Sequence, residues 1–221
     1  MKRNTYLTVY FLIVSLLLLV SPTSFSQDLK ENPELDEQVR KFLVENKYRW
    51  RDMNVPAIDG QLLFDIILDN GYTRALEIGT STGHSAIWIA WALSKTGGKL
   101  ITIEIDEGRH RQAMDNLREA GLEEFVDARL ADAHKLVPRL EGPFDFVFSD
   151  ADKNWYTNYF KAVDPRLVVG GCFTAHNVSE RYSRYRSGQS EFLEYVKSLD
   201  NYETTVNNEG NGVSISFKIS K

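Results

Sequence analysis

From Ala75 to Ala175 the chain alternates short apolar runs with amphipathic stretches, a rhythm that leaves little choice of fold. Residues 75–78, 100–103, 125–130, 144–148 and 171–175 read as strands. Residues 83–93, 107–120, 133–140 and 155–163 read as the helices between them. Strands that alternate with helices pair in parallel through right-handed crossovers, which implies a three-layer α/β/α sandwich. A further helix is expected over 190–198, then two alternating strands at 202–206 and 213–218. The short Asn207-Asn208-Glu209-Gly210 link makes these last two antiparallel neighbours. The predicted sheet is seven-stranded and mostly parallel, with one antiparallel strand near its edge.

Two helices are expected ahead of this unit, over 34–50 behind Asn32-Pro33 and over 60–69 before Asn70-Gly71. The chain begins differently. Lys2-Arg3 precedes an apolar run from Tyr6 to Val20, then Ser21-Pro22-Thr23-Ser24-Phe25-Ser26. That is the three-part pattern of a secretory signal, with cleavage expected after Ser26. The competing reading is an uncleaved membrane anchor, although the run is shorter than the ~20 residues that span a bilayer comfortably. The sequence therefore divides into 1–26 as signal peptide or anchor, 27–59 as a helical segment and 60–221 as the main domain. The expected location is periplasmic or extracellular, or at a membrane through the N-terminus alone.

Removing residues 1–26 takes away two positive charges and moves the formal charge from −5 to −7. An acidic body is a poor partner for nucleic acid, whose binding rests on neutralising phosphates. The single cysteine, Cys172, excludes an intrachain disulfide. A homodimer is compatible with the sequence, which does not fix the oligomeric state.

In open α/β sheets ligands bind beyond the carboxyl ends of the strands. After the first strand stands Glu77-Ile78-Gly79-Thr80-Ser81-Thr82-Gly83. Gly79 and Gly83 let the backbone turn tightly and approach a ligand. The E-x-G-x-x-x-G spacing is not the G-x-G-x-x-G of dinucleotide sites, and no Gly-Lys-Ser/Thr follows to make a phosphate loop. After the second strand stands Glu104, where such sites put an acid that accepts from ribose hydroxyls. Ala131-Asp132-Ala133 follows the third strand, where an adenine would lie. A cofactor with adenine and ribose but no phosphate suits this set.

Three segments resemble the small-molecule O-methyltransferases typified by the catechol and caffeoyl-CoA enzymes. They are Leu76 to Ser85, Ile103-Glu104-Ile105-Asp106, and Phe144 through Phe148-Ser149-Asp150-Ala151-Asp152-Lys153. Met53-Asn54-Val55 and Gly60-Gln61 also resemble the segment by which the catechol enzyme admits its cofactor. The resemblance implies a Rossmann-like, S-adenosylmethionine-dependent O-methyltransferase acting on a hydroxyl of a small aromatic molecule. It implies that Gly79 and Ser85, with Ser81 in the same loop, hold the methionine part and that Val55 lines that end through its backbone. Glu104 would then hold the ribose, Ile105 would pack on adenine and Ala133 would touch its edge. Asp150 would lie by the reacting methyl group, and Lys153 would be the general base.

The family usually closes its fifth strand with Asp-Asn, completing a divalent metal site with the earlier Asp. Here the strand ends in His176-Asn177. The candidate metal ligands become Asp150, His176 and Asn177, a set short of the hard carboxylates that magnesium favours. Imidazole suits a transition metal instead. The other arrangement has no metal and makes His176 the base, since imidazole titrates near neutrality. The metal-free arrangement is the expectation, and no strict dependence on Mg²⁺ follows from either. Ser179 to Gly188, with three arginines and two tyrosines, reads as a solvated loop or a lid over the acceptor. Alternatives are N- or C-methylation of a small molecule, or a binding protein that keeps the fold without turnover.

Overall fold

A computed structural model describes residues 29–50, 53–179 and 187–221. The leader expected at 1–26 lies outside these residues, as does most of the Ser179–Gly188 loop. Among the described residues no helix is long and apolar enough to cross a membrane.

The elements run α1 (Pro33–Glu45), α2 (Ala57–Asn70), β1 (Arg74–Ile78), α3 (His84–Thr96), β2 (Lys99–Glu104), α4 (Glu107–Glu119) and β3 (Val126–Leu130). There follow α5 (Ala133–Leu136), β4 (Phe144–Ser149), α6 (Tyr156–Val163), β5 (Leu167–His176), α7 (Gly188–Lys197), β6 (Tyr202–Asn207) and β7 (Val213–Lys218). The strands form one seven-stranded sheet in the order β3-β2-β1-β4-β5-β7-β6. Strands β1 to β5 pair in parallel, and β7 runs antiparallel between β5 and β6. This is the sandwich expected from the β–α rhythm.

Alternate strand residues point to opposite faces, so each strand feeds two cores. Ala75, Leu100, Phe146, Phe148 and Cys172 pack with α1, α2 and α3 on one side. Leu76, Ile78, Val147, Phe173 and Ala175 pack with α6 and α7 on the other. Helix α3 is apolar nearly all round and correspondingly buried along its length. Leu35, Val39 and Phe42 of α1 belong to the same core as α3. The sequence-based boundary at residue 60 falls inside α2, so the helical segment is continuous with the body rather than set apart from it.

Differences from the sequence reading have local causes. Helix α1 stops at Glu45, short of residue 50, because the Asn46 side chain and backbone N–H both donate to the Phe42 carbonyl. The helix after β3 tightens into a 3₁₀ turn at Val137–Arg139, where Pro138 has no N–H to continue the ladder. Strand β5 begins at Leu167, four residues early, and a register shift against β4 lets Gly170 adopt a φ of +84° within it. At the end of the sheet away from the strand carboxyl termini, the Asp145 carboxylate accepts from the backbone N–H of Thr73 (2.7 Å) and Arg74 (2.8 Å). That contact fixes the entry of β1 beside β4.

Helices α2 and α3 touch through Gly60, where an added Cβ would stand 2.2 Å from Cδ1 of Trp88. Trp88 is hemmed in by Phe64, Trp91 and His84, so it can yield only by disturbing that aromatic cluster or moving into the small cavity it lines. Alanine has the better helix propensity by ~1 kcal/mol, but overpacking a core costs about 1–3 kcal/mol. Gly60→Ala should therefore lower stability by a net ~1 kcal/mol or more in urea unfolding, and a variant as stable as the parent would refute this packing.

Candidate active site

Strand β1 lies between β2 and β4, and its crossovers leave to opposite sides, so its carboxyl end is the switch point of the sheet. The loop that follows must pass close under the end of β4. Gly79 takes a φ of +102°, and a Cβ there would stand 3.0 Å from backbone atoms of Asp150 and Ala151. No side chain fits, and the open space ahead of the loop forms a cavity of about 420 Å³.

Six of the eight cofactor-contacting residues expected from the sequence line that cavity: Gly79, Ser81, Glu104, Ile105, Ala133 and Asp150. The other two do not. Val55 is buried outside the cavity, with its carbonyl oxygen held 2.8 Å from Nδ1 of His84. Ser85 is buried behind the loop, beside Glu77. Met53, the residue two before Val55, reaches the cavity wall instead.

Glu104 is 6% exposed and rigidly aimed. Its Oε2 accepts from the Ser81 N–H at 2.8 Å, and its Oε1 accepts from the N–H groups of Ile105 (3.0 Å) and Asp106 (2.9 Å). These bonds tie the first loop to the start of α4. A carboxylate has about four lone-pair sites, so acceptor capacity remains for a ligand. Ser81 lies in the left-handed region at φ +50°, and its buried Oγ has no hydrogen-bond partner among the described residues. A buried hydroxyl without a partner is costly unless a ligand completes it. Farther along, Ile105 is 70% exposed at the mouth of the cavity. The His134 ring stacks on Trp155 at 3.8 Å and contributes to the wall beyond Ala133. Asp132 holds the turn by accepting from the His134 N–H.

Behind the loop, Glu77 is fully buried. Burial pushes its carboxyl up to about 7 against the opposing hydrogen bonds of Ser85 and Thr102. His84 is pulled down to about 4 by burial, which outweighs its bond to Val55. It is therefore neutral at pH 7. With Nδ1–H donating to the Val55 carbonyl, Nε2 is free to accept from Nε1 of Trp88 at 3.2 Å. Trp50 stacks on the same ring at 4.5 Å.

The chemistry-bearing groups gather at the ends of β4 and β5. Asp150 follows β4, and its Oδ1 accepts from Nζ of Lys153 at 2.7 Å. Its Oδ2 lies 3.1 Å from Nδ1 of His176, the last residue of β5. The other imidazole nitrogen, Nε2, lies 2.9 Å from Oδ2 of Asp59 in α2. The Tyr156 hydroxyl donates to the His176 carbonyl at 3.0 Å. Burial works to lower the His176 pKa, but the hydrogen bonds and charges of Asp150 and Asp59 prevail and raise it to about 9.

This geometry corrects two expectations for His176. A metal ligand or a general base needs a free ring lone pair, and both nitrogens here face carboxylate oxygens at hydrogen-bonding distance. The set Asp150, His176 and Asn177 does not fit a divalent ion. Among the described residues no group of three or more His, Cys, Asp or Glu is disposed to hold one. Asp59 escaped the sequence reading because an acid in the first turn of a helix is the ordinary complement to the helix dipole. His134 and Trp155 escaped it too, since neither belongs to a strand-end motif.

The family model for O-methyltransferase matches residues 24–181 of the chain. The chain belongs to the O-methyltransferase family. A catechol O-methyltransferase from Niastella koreensis is 46% identical over 107 residues, 47% of this chain and 48% of that enzyme, so the match spans about half its length. Caffeoyl-CoA O-methyltransferase 1 from Eucalyptus globulus is 27% identical over 79% of this chain and 72% of its own. Among solved structures, the O-methyltransferase TomG from Streptomyces achromogenes, in complex with S-adenosylmethionine, is 25% identical with a TM-score of 0.71. That alignment covers 87% of this chain and 92% of TomG.

In this O-methyltransferase the folded state holds the His176 proton up to about pH 9, whereas an unfolded histidine releases it near 6.5. The stabilisation is therefore complete below pH 6.5 and lost as pH rises through about 9. Thermal unfolding should show that decline. His176→Asn should abolish the slope and, by leaving the buried Asp59 carboxylate without its cation while Asp150 keeps Lys153, cost about 3–5 kcal/mol at pH 7.

Proposed function

We propose that the chain transfers a methyl group from S-adenosylmethionine to a hydroxyl of a small aromatic acceptor. The observation that carries this reading is the adjacency of two sites on one cavity wall. Gly79, Ser81 and Glu104 form a cofactor cradle, and Asp150 carries Lys153 at its edge. The partnerless Ser81 hydroxyl, the fixed Glu104 carboxylate and the Gly79 approach fit the polar end and ribose of that cofactor. When bound, it supplies an electrophilic methyl group on a sulfonium.

The protein's own part is positioning and charge. Orientation of two reactants accounts for much of the barrier in such a transfer. Lys153 is held by Asp150 and keeps further N–H donors for the acceptor oxygen, which they stabilise as an oxyanion while the hydroxyl proton passes to water. The carboxylate of Asp150 lies where a sulfonium is electrostatically favoured. Export or anchoring through residues 1–26 remains part of the proposal, supported by Lys2-Arg3 and the apolar run behind them.

Two measurements test the reading. Glu104→Ala should weaken S-adenosylhomocysteine binding in calorimetry by about 1.5–3 kcal/mol, through loss of charge-assisted hydrogen bonds. Undiminished affinity would remove the ribose assignment. With labelled cofactor and a panel of catechols and hydroxycinnamic compounds, the parent should yield methyl ethers. Lys153→Met should lower kcat by roughly 10²–10⁴ while leaving S-adenosylhomocysteine affinity unchanged. Equal turnover in this variant would exclude Lys153 from stabilising the acceptor oxygen.

A further inference from the structure

We propose that His176, clamped between Asp59 and Asp150, is a fixed internal cation standing where related enzymes use a divalent ion, and that Asp59 is its positioning residue. The inference rests on the methyltransferase reading for its catalytic meaning, but the clamp is a matter of geometry alone.

Each ring nitrogen of His176 has its own carboxylate oxygen, at 3.1 Å for Nδ1 and 2.9 Å for Nε2. A carboxylate oxygen accepts and does not donate, so satisfying both contacts takes an N–H on each nitrogen. The imidazole side chain is 3% exposed and that of Asp59 is 2% exposed, so water does not substitute for either partner. The clamp is anchored at both ends. Oδ2 of Asp59 also accepts from the backbone N–H of Asn211 at 2.9 Å. Asn211 lies in the turn between β6 and β7, and that turn closes directly over the carboxylate. A Cβ on Gly210 would stand 1.9 Å from Oδ1 of Asp59, so the turn reaches this close only with glycine there. At the other end Asp150 is shared with Lys153. Two carboxylates and two cations thus balance at the reaction end of the cavity.

A divalent ion has no place in this balance. It would need a free lone pair on His176, and its charge would meet a cation already compensating the same two carboxylates. The imidazolium delivers one positive charge through hydrogen bonds, without a metal's affinity for catechol-type chelation. It holds Asp150, and through it Lys153, in place. Asp59 touches neither the cavity nor Lys153 and acts only through His176.

The test uses the full chain and needs no methyl acceptor. At pH 7, long-range ¹H–¹⁵N spectra of the parent should show His176 protonated on both nitrogens, and Asp59→Asn should lose that signature. A singly protonated His176 in the parent would overturn the proposal. Free Mn²⁺, followed by electron paramagnetic resonance, should keep its signal when the parent is added. Co²⁺ should likewise gain no ligand-field absorption from the parent. His176→Asp sets a third carboxylate beside Asp59 and Asp150 and should take up one Mn²⁺ per chain. Stoichiometric uptake by the parent that disappears in Asp150→Asn would refute the clamp. In turnover, Asp59→Asn should lower kcat about tenfold and leave KM for S-adenosylmethionine unchanged, and chelators should not affect the parent. Failure of S-adenosylhomocysteine to bind would instead strike the methyltransferase reading, with the spectra still deciding the clamp.

Discussion

The backbone contact at Gly79 is the constraint on which the rest depends. Two strand-end loops meet there at the switch point of the sheet, with no room for a side chain on the one that turns. Because the first loop passes so close under Asp150, the cradle formed by Ser81 and Glu104 opens onto the same space as the acidic end of β4. The order of strands creates the crevice, and the missing Cβ decides how narrow it is. Glu104 then locks the arrangement by accepting main-chain N–H groups from two separate loops.

The two ends of the sheet are built on different terms. At the amino ends of β1 and β4, Asp145 is satisfied by Thr73 and Arg74 and serves as a structural staple. At the carboxyl ends, Asp59, Glu77, Thr102, Glu104 and His176 are all buried and polar. Burying charged groups is costly unless each is paired. Their accumulation in one layer, with the Ser81 hydroxyl lacking a partner among the described residues, marks this layer as one shaped by binding rather than by stability.

Much of this was legible in the sequence because the informative residues follow strands. Gly79, Glu104, Asp150 and Lys153 each stand just beyond an apolar run, where an open α/β sheet puts its ligands. The seven strands were legible from the same rhythm, although Gly170-Gly171 concealed the early start of β5. Asp59 was not legible. Its partner His176 lies 117 residues away, and only the packing of α2 over the end of β5 brings them together. His176 was recognised as out of pattern, yet its meaning depended on that unseen second carboxylate. Val55 and Ser85 lie off the cavity wall for a related reason: local motif position does not tell which side of a loop faces the open space.

The tie between Asp59 and Asn211 spans 152 residues and joins the second helix to the last hairpin. Synthesis proceeds from the amino terminus, so α2 and the first five strands emerge well before the turn that completes the Asp59 carboxylate. Contacts of such separation carry a large loop-closure cost and form late. A chain that ends before β7 would leave the buried Asp59 acid without its Asn211 partner and an edge of β5 unpaired. The Asp59–His176 pair at the reaction end of the cavity is thus completed only once the β6–β7 turn is in place.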